Sequence, residues 1–179
     1  MADSSKYSVS EFERRFLLSA LPSDLSQPRR IHDLYIEGTR LRLRTIEDMK
    51  GGVLQRKLGH KRRMEDWDPT AVDHTSLYLN EAEFGVLSSL PGRSLVKVRW
   101  LVEANDRSGA VDVFEGELQG LAMLEVDCHT QEEMDAYAPP DWAGEEVSHL
   151  DELSGGMLSR LRFEEVESLL NKVATSPTP

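Results

Sequence analysis

Successive short segments of this chain alternate between charged and apolar residues, and this feature limits the possible folds most. Residues 40–44 read Arg-Leu-Arg-Leu-Arg, and residues 95–101 read Leu-Val-Lys-Val-Arg-Trp-Leu. Alternate side chains of a β-strand point to opposite faces, so each segment predicts a strand with one charged and one apolar face. Residues 11–16, Glu-Phe-Glu-Arg-Arg-Phe, and residues 124–127, Leu-Glu-Val-Asp, repeat the pattern with acids. We therefore predict a sheet that is charged on one face.

The same reading gives eight predicted strands, separated by turns that contain Gly, Pro, Asn or Asp. The predicted strands cover residues 7–18, 31–36, 40–44, 53–59, 73–80, 93–103, 110–118 and 121–129. Residues 60–63, His-Lys-Arg-Arg, are predicted to form the exposed basic tip of a hairpin. Helices are predicted over residues 81–90, 130–137, 150–162 and 164–173, the first two with Asn80 and Thr130 as N-caps. Successive strands at hairpin spacing, with helices after them, indicate an antiparallel sheet or barrel.

The composition indicates an ordinary globular chain. It has 179 residues, of which 39% are hydrophobic and 30% are charged, and this length favours one domain. The formal net charge of -11 opposes non-specific binding to nucleic acid, which needs a basic surface. The single cysteine, Cys128, excludes an intrachain disulfide, and no apolar run reaches membrane-spanning length. We therefore expect a cytoplasmic protein without a membrane partner. The sequence leaves open whether it forms a homodimer.

Acids and cations are segregated among the predicted strands. The first and last strands carry acid pairs, whereas the middle strands carry cations. Two architectures fit this pattern: a sandwich or half-covered sheet whose charges face water, and a closed barrel whose charges line the interior beneath helices on the outside. Periodicity alone does not separate them. A charged interior would be costly unless acids, cations, metal and ligand compensated one another, so it would itself indicate a function.

The ordered set of motifs resembles the CYTH domains, also called triphosphate tunnel metalloenzymes. The N-terminal motif of that family is Glu-x-Glu-x-Lys, and residues 11–15 here read Glu-Phe-Glu-Arg-Arg. The similarity continues in order through residues 41–44, 55–57, 96–100, 111–116 and 124–127. Residues 139–147, Pro-Pro-Asp-Trp-Ala-Gly-Glu-Glu-Val, are similar to the family's late Pro-Pro-x-Trp-x-Gly-Glu-Glu-Val segment. The resemblance covers roughly residues 7–160.

This resemblance implies an α+β fold that is mainly antiparallel β, namely an eight-stranded closed tunnel barrel with helices packed outside. It assigns residues 1–162 to a CYTH-like tunnel domain and residues 163–179 to a C-terminal helix and frayed tail. It also implies an Mg²⁺- or Mn²⁺-dependent hydrolase of triphosphate compounds, most simply of inorganic triphosphate. The alternatives are a polyphosphate- or nucleotide-binding module with little turnover, and a cyclase that converts ATP to cyclic AMP. The partner would be a small-molecule triphosphate or polyphosphate rather than a nucleic acid.

The resemblance also implies roles for individual charged residues. The expected metal ligands are Glu11, Glu13, Asp112, Glu125 and Asp127. The expected phosphate-binding residues are Arg15, Arg42, Arg44, Lys57, Lys97 and Arg99. The expected catalytic residues are Glu11, Glu13 and Lys97. These roles agree with general chemistry, because carboxylate oxygens suit Mg²⁺ and cationic side chains bind phosphate oxygens.

The chain departs from the family pattern at two places. Arg15 stands where the family's first motif has Lys, which keeps the charge but changes reach and donor geometry. Near the C-terminal helix, the family has a Lys that enters the tunnel, whereas residues 153–157 here read Leu-Ser-Gly-Gly-Met. The loss of that cation is expected to weaken the grip on one phosphate or to change the preferred substrate.

Overall fold

The computed structural model describes residues 9–63 and 71–175 and consists mainly of β-strands. The strands are β1 (Val9–Leu17), β2 (Arg29–Ile36), β3 (Leu41–Glu47), β4 (Val53–Arg63), β5 (Ala71–Tyr78), β6 (Gly92–Glu103), β7 (Ser108–Phe114) and β8 (Ala122–Cys128). The helices are α1 (Glu81–Ser88), α2 (Gln131–Ala136), α3 (Gly155–Leu158) and α4 (Phe163–Thr175), with 3₁₀ turns at Gly116–Leu118 and Asp151–Leu153. Within the described ranges, no helix has the length and apolar character needed to cross a membrane. The prediction of a mainly antiparallel eight-stranded sheet is confirmed.

The strands follow one another in a ring, in which the shortest described ladder joins β1 and β5. All pairings are antiparallel and follow the order β1-β5-β4-β3-β2-β6-β7-β8, with β8 returning to β1. The β1–β5 ladder contains only the four residue pairs from Val9 to Phe12, whereas β1 pairs with β8 from Phe12 to Leu17. In the described residues this ladder ends at the pair of Phe12 with Ala71, where the described part of β5 begins. The eight strands form a strongly curled antiparallel sheet, and the predicted closed tunnel is not confirmed.

From Arg15 to Leu17, one edge of β1 is paired with residues 144–147. The N–H of Leu17 donates to the carbonyl of Glu145, and the N–H of Val147 donates to the carbonyl of Arg15, each at 2.8 Å. The N–H of Gly144 donates to the carbonyl of Leu17 at 2.9 Å. The Gly-Glu-Glu-Val end of the late sequence motif thus satisfies backbone groups of β1 that no neighbouring strand reaches.

A substitution of Gly144 should weaken this pairing. A Cβ at Gly144 would lie 2.5 Å from the carbonyl oxygen of Leu17, which is a backbone atom that cannot move aside alone. We expect Gly144→Ala to lower the free energy of unfolding by about 1–3 kcal/mol in urea denaturation. Gly85→Ala is the control, because nothing lies within 4 Å of a Cβ at that exposed position in α1, and it should be neutral or stabilising. Equal stability of the two variants would contradict this reading.

One part of the hydrophobic core lies on the charged face of the sheet. Phe114 is directly opposite Lys97, and Met123 is directly opposite Asp112, and residues directly opposite in neighbouring strands share a face. Both apolar residues belong to a buried cluster with residues of the C-terminal segment. These are Val147, Leu153, Leu158 and Val166. The C-terminal segment therefore fills one end of the barrel interior with apolar side chains, besides packing outside it.

The other part of the core lies on the outer face. Phe16, Val111, Leu124 and Val126 form a buried cluster with Tyr137, which follows α2. Trp142 and Ala143 pack against the same cluster. The apolar face of the strands is thus covered from outside by Tyr137, Trp142 and Ala143. Of the two architectures that the alternation allowed, the structure agrees with the one whose charges face the interior, although closure of the barrel is not confirmed.

Two local predictions are wrong. Residues 60–63 do not form a hairpin tip, because β4 continues through them to Arg63 and pairs with β5. Residues 150–162 do not form one helix, because only a 3₁₀ turn and the four residues Gly155–Leu158 are helical. Gly155 packs so closely on the hydroxyl of Tyr35 that a Cβ would lie 2.1 Å away.

The predicted N-caps Asn80 and Thr130 are confirmed, each accepting from the backbone N–H three residues later.

Candidate functional site

The predicted site residues gather on the inner face of the barrel. Arg44 lies opposite Lys57, and Arg99 lies opposite Asp112. Two ion pairs also reach across an intervening strand: Glu13 of β1 contacts Lys61 of β4, and Arg99 contacts Glu125 of β8. Such contacts are made only by side chains that point into a shared interior. Glu11 lies two residues before Glu13 in β1, and its side chain is outside the described residues.

Three carboxylates form a compact group in this interior. Glu13, Glu125 and Asp127 each offer a ligand atom, and these atoms lie within 4.8 Å of one another. Glu13 and Asp127 are directly opposite in β1 and β8. Glu13 Oε1 accepts from Lys61 Nζ at 2.5 Å, and Glu125 Oε2 accepts from Arg99 Nη2 at 2.5 Å. We refer to these three residues as the acid cluster.

The donor set of the acid cluster fits a divalent cation. Burial raises the pKa of Glu125, but the charges of Arg99 and Lys97 outweigh it and hold that pKa well below its usual value. This carboxylate is therefore ionised at neutral pH, as a metal ligand must be. Three carboxylates supply the hard oxygen ligands that Mg²⁺ and Mn²⁺ prefer. The cluster could hold such an ion.

Asp112 lies outside this cluster among the residues that the structure describes. It is 2% exposed and accepts from Arg99 Nε and Nη2, each at 2.6 Å, and from Lys97 Nζ at 2.5 Å. Burial and the neighbouring Arg99 lower the pKa of Lys97 although Asp112 raises it. For Arg99, burial lowers the pKa, but Asp112 and Glu125 more than reverse this effect. Asp112 therefore neutralises two buried cations, and its expected role as a metal ligand stays a prediction.

Arg42 and Arg44 are organised by a residue that the sequence motifs do not include. Asp33 of β2 accepts from Arg44 Nε and Nη2, each at 2.7 Å, and its Oδ1 lies 3.6 Å from Arg42 Nε. Burial raises the pKa of Asp33, but the charges of Arg44 and Arg42 lower it to about 2. The carboxylate is consequently ionised over the whole physiological range of pH.

The two remaining expected phosphate ligands have other partners. Arg15 is 8% exposed, and its Nη2 donates to the carbonyls of Ser148 at 3.0 Å and Leu150 at 3.4 Å. These contacts attach Arg15 to the chain that follows residues 144–147. Lys57 Nζ lies 4.9 Å from the centre of the Tyr78 ring. The expectation that both residues bind phosphate stays a prediction.

Sequence reasoning missed Asp33, Lys61 and Ser148. Lys61 continues the alternation of Lys57 and Gly59 along β4, so a longer strand would have placed it on the charged face. Asp33 is the one acid of β2 and belongs to no motif. Ser148 could not be found from sequence, since its contact with Arg15 joins residues 133 positions apart.

No family model matches the chain, and no curated protein sequence matches it. Solved structures do match. The crystal structure of the inorganic triphosphatase NE1496 has a TM-score of 0.58 at 23% identity, over 83% of this chain and 93% of that one. A structure described as the hypothetical protein NE1496 has a TM-score of 0.59 at 22% identity, over 85% of this chain and 99% of that one.

A conserved hypothetical protein from Pyrococcus furiosus has a TM-score of 0.51 at 15% identity, over 70% of this chain and 83% of that one. At these identities the likenesses establish the fold. The chain has the CYTH, or triphosphate tunnel metalloenzyme, fold, in agreement with the resemblance of its ordered motifs. One structure to which it is similar over most of both chains is that of the inorganic triphosphatase NE1496.

Proposed function

We propose that the chain is a metal-dependent hydrolase of triphosphate compounds, most simply of inorganic triphosphate. One observation carries the proposal. Arg99 Nη2 contacts both Glu125 of the acid cluster and Asp112. The carboxylates suited to a metal and the cations suited to phosphate are therefore in direct contact. A chain of phosphates in this interior could meet both groups at once.

The charge of the interior supports a polyanionic ligand. Cations outnumber carboxylates among its described side chains, although the whole chain has a net charge of -11. The cations are Arg15, Arg42, Arg44, Lys57, Lys61, Lys97 and Arg99. The carboxylates are Glu13, Asp33, Asp112, Glu125 and Asp127. A bound divalent ion would add to this local positive excess, and local charge decides which ligand a cleft attracts.

The proposed roles follow from this arrangement. When bound by Glu13, Glu125 and Asp127, a divalent ion would supply Lewis-acid polarisation and acidify a bound water. Arg42, Arg44, Lys97 and Arg99 would bind phosphate oxygens and neutralise charge on the leaving diphosphate. Phosphoryl transfer depends mainly on such positioning and charge stabilisation. Glu11 is proposed to act with Glu13, and Lys97 to contact the reacting phosphate. The buried apolar cluster that includes Leu153 and Leu158 would exclude water from the filled end.

Structural likeness adds limited support. NE1496 is described as an inorganic triphosphatase.

A second candidate function is a binding module with little turnover, and residues 153–157 favour it. This segment carries no cation, and its Leu153 lies in the apolar cluster, so it contributes no positive charge to the interior.

A phosphate-release assay separates the candidates. The purified chain would be incubated with inorganic triphosphate, ATP or pyrophosphate, in Mg²⁺, in Mn²⁺ or in EDTA. We expect release from triphosphate that requires the metal. No release under any condition, with triphosphate still raising the melting temperature, would favour the binding module. Cyclic AMP formed from ATP would favour the cyclase.

A further inference from the structure

Asp33 is a buried carboxylate placed among the cationic strands. It lies in β2 directly opposite Arg44 of β3 and Leu95 of β6, and it is 3% exposed. A carboxylate at such depth destabilises the fold unless charged partners compensate it. Its partners are two arginines that we propose for phosphate binding, so its position bears directly on how they are oriented.

The contact with Arg44 fixes the plane of the guanidinium group. Nε and Nη2 donate in parallel to the two carboxylate oxygens, each at 2.7 Å. A guanidinium has five N–H donors in a rigid planar arrangement, and this paired contact uses two of them. Once the plane is fixed, the directions of the three other donors are fixed too. The Nε of Arg42 lies 3.6 Å from the same Oδ1, which is an ion pair without a hydrogen bond.

Arg42 and Arg44 need such a partner because they repel each other. They lie two residues apart on one face of β3, where both positive charges point into the interior. Long side chains that are disordered before binding lose conformational entropy when a ligand orders them. The Asp33 carboxylate neutralises part of this repulsion for both arginines, and its paired hydrogen bonds order the side chain of Arg44 when the protein folds.

The next two strands of the sheet, β6 and β7, repeat this arrangement. Lys97 and Arg99 are also two residues apart on one strand, and Asp112 of the neighbouring strand accepts from both. Each cation pair thus has one buried aspartate of an adjacent strand as its shared partner. The repetition indicates that ordering of the cations is a common feature of this interior.

We propose that Asp33 is a positioning residue that orients Arg42 and Arg44, so that their outer N–H groups face a phosphate chain in the interior. This inference rests on the proposed function. It predicts that the loss of Asp33 weakens the binding of triphosphate more than it lowers the rate at which bound triphosphate is hydrolysed. A purely structural ion pair would affect stability and leave substrate binding unchanged.

The test compares Asp33→Asn and Asp33→Glu with wild type, and Asp106→Asn serves as the control at an exposed turn. Inorganic triphosphate is the probe, with kcat and KM measured in Mg²⁺ and the Kd measured by calorimetry in EDTA. For Asp33→Asn we expect KM and Kd to rise roughly tenfold while kcat changes less than threefold. Asp33→Glu keeps the charge but displaces the oxygens, so its KM should lie between those of wild type and Asp33→Asn.

The outcomes distinguish this inference from the proposed function. If wild type hydrolyses triphosphate and both Asp33 variants keep its KM and Kd, the inference is overturned and the proposed function stands. If wild type neither binds nor hydrolyses triphosphate, the proposed function fails and the inference with it. Should Asp33→Asn not fold, Asp33→Glu decides alone, because its charge still compensates the buried arginines. A wild-type KM in that variant would then overturn the inference.

Discussion

Glu13→Gln is expected to reduce metal-dependent triphosphate hydrolysis by at least about 100-fold while leaving the protein folded. Glu13 is one of the three carboxylates whose ligand atoms lie within 4.8 Å of one another, so its loss removes a full negative charge from the proposed metal site. The amide oxygen of Gln keeps the size but holds a divalent cation far less strongly. Lys61 loses its partner, but it is partly exposed and can be solvated, so the change in stability should be small.

The measurement is kcat/KM for inorganic triphosphate over a series of Mg²⁺ or Mn²⁺ concentrations. Glu132→Gln is the matched control, because Glu132 is an exposed residue of α2 and the same chemical change there should leave activity intact. Higher metal concentrations should restore part of the activity of Glu13→Gln if metal affinity is what was lost. Full activity of Glu13→Gln at low metal would remove Glu13 from the proposed site.

The face on which each charged side chain lies could be predicted from the sequence, because alternation follows from strand geometry alone. Glu13, Arg44 and Lys97 were assigned to the charged face on this basis, and their contacts confirm it. Alternation did not reveal whether that face was inside or outside a barrel. The deciding fact is the burial of apolar residues of the opposite face, such as Val111 and Leu124, in one cluster with Tyr137, Trp142 and Ala143.

The partner of each charge could not be predicted, because it depends on the order and register of the strands. β2 lies between β3 and β6 in the sheet, and this order places Asp33 against Arg44. Arg15 was expected to bind phosphate, yet its donors meet carbonyls of residues 148 and 150. Such contacts join segments more than 130 residues apart, and local propensity carries no information about them.

In the C-terminal region, the helical pattern of residues 150–162 did not predict their backbone correctly. Residues 150–162 contain enough apolar residues for a helical reading, but Gly155 lies against Tyr35 without room for a Cβ. Leu153 and Leu158 are buried in the end of the barrel, so tertiary packing determines this backbone. By contrast, α4 was predicted correctly because its apolar residues follow the helical repeat, with Val166 buried and Leu169 and Leu170 beside it.

Asp112→Asn is expected to lower the free energy of unfolding by about 3–5 kcal/mol, the typical cost of removing one partner from a buried ion pair. Asp112 accepts from both Lys97 and Arg99, and all three side chains are largely buried. An uncharged Asn fills the same space but leaves the two cations without their shared carboxylate. Glu125 contacts Arg99 and lies 4.0 Å from Lys97, so it compensates only part of this loss. The melting temperature should fall by roughly 10 °C.

Thermal unfolding in EDTA and in Mn²⁺ separates the two roles of Asp112. If Asp112 mainly neutralises Lys97 and Arg99, the melting temperature falls by a similar amount in both conditions. If it is instead a metal ligand, the variant unfolds almost as wild type does in EDTA and loses only the stabilisation that Mn²⁺ provides. Asp106→Asn is the control, because Asp106 lies in an exposed turn at a positive φ of 63°, which Asn also tolerates. A melting temperature equal to that of this control in both conditions would mean that neither role holds.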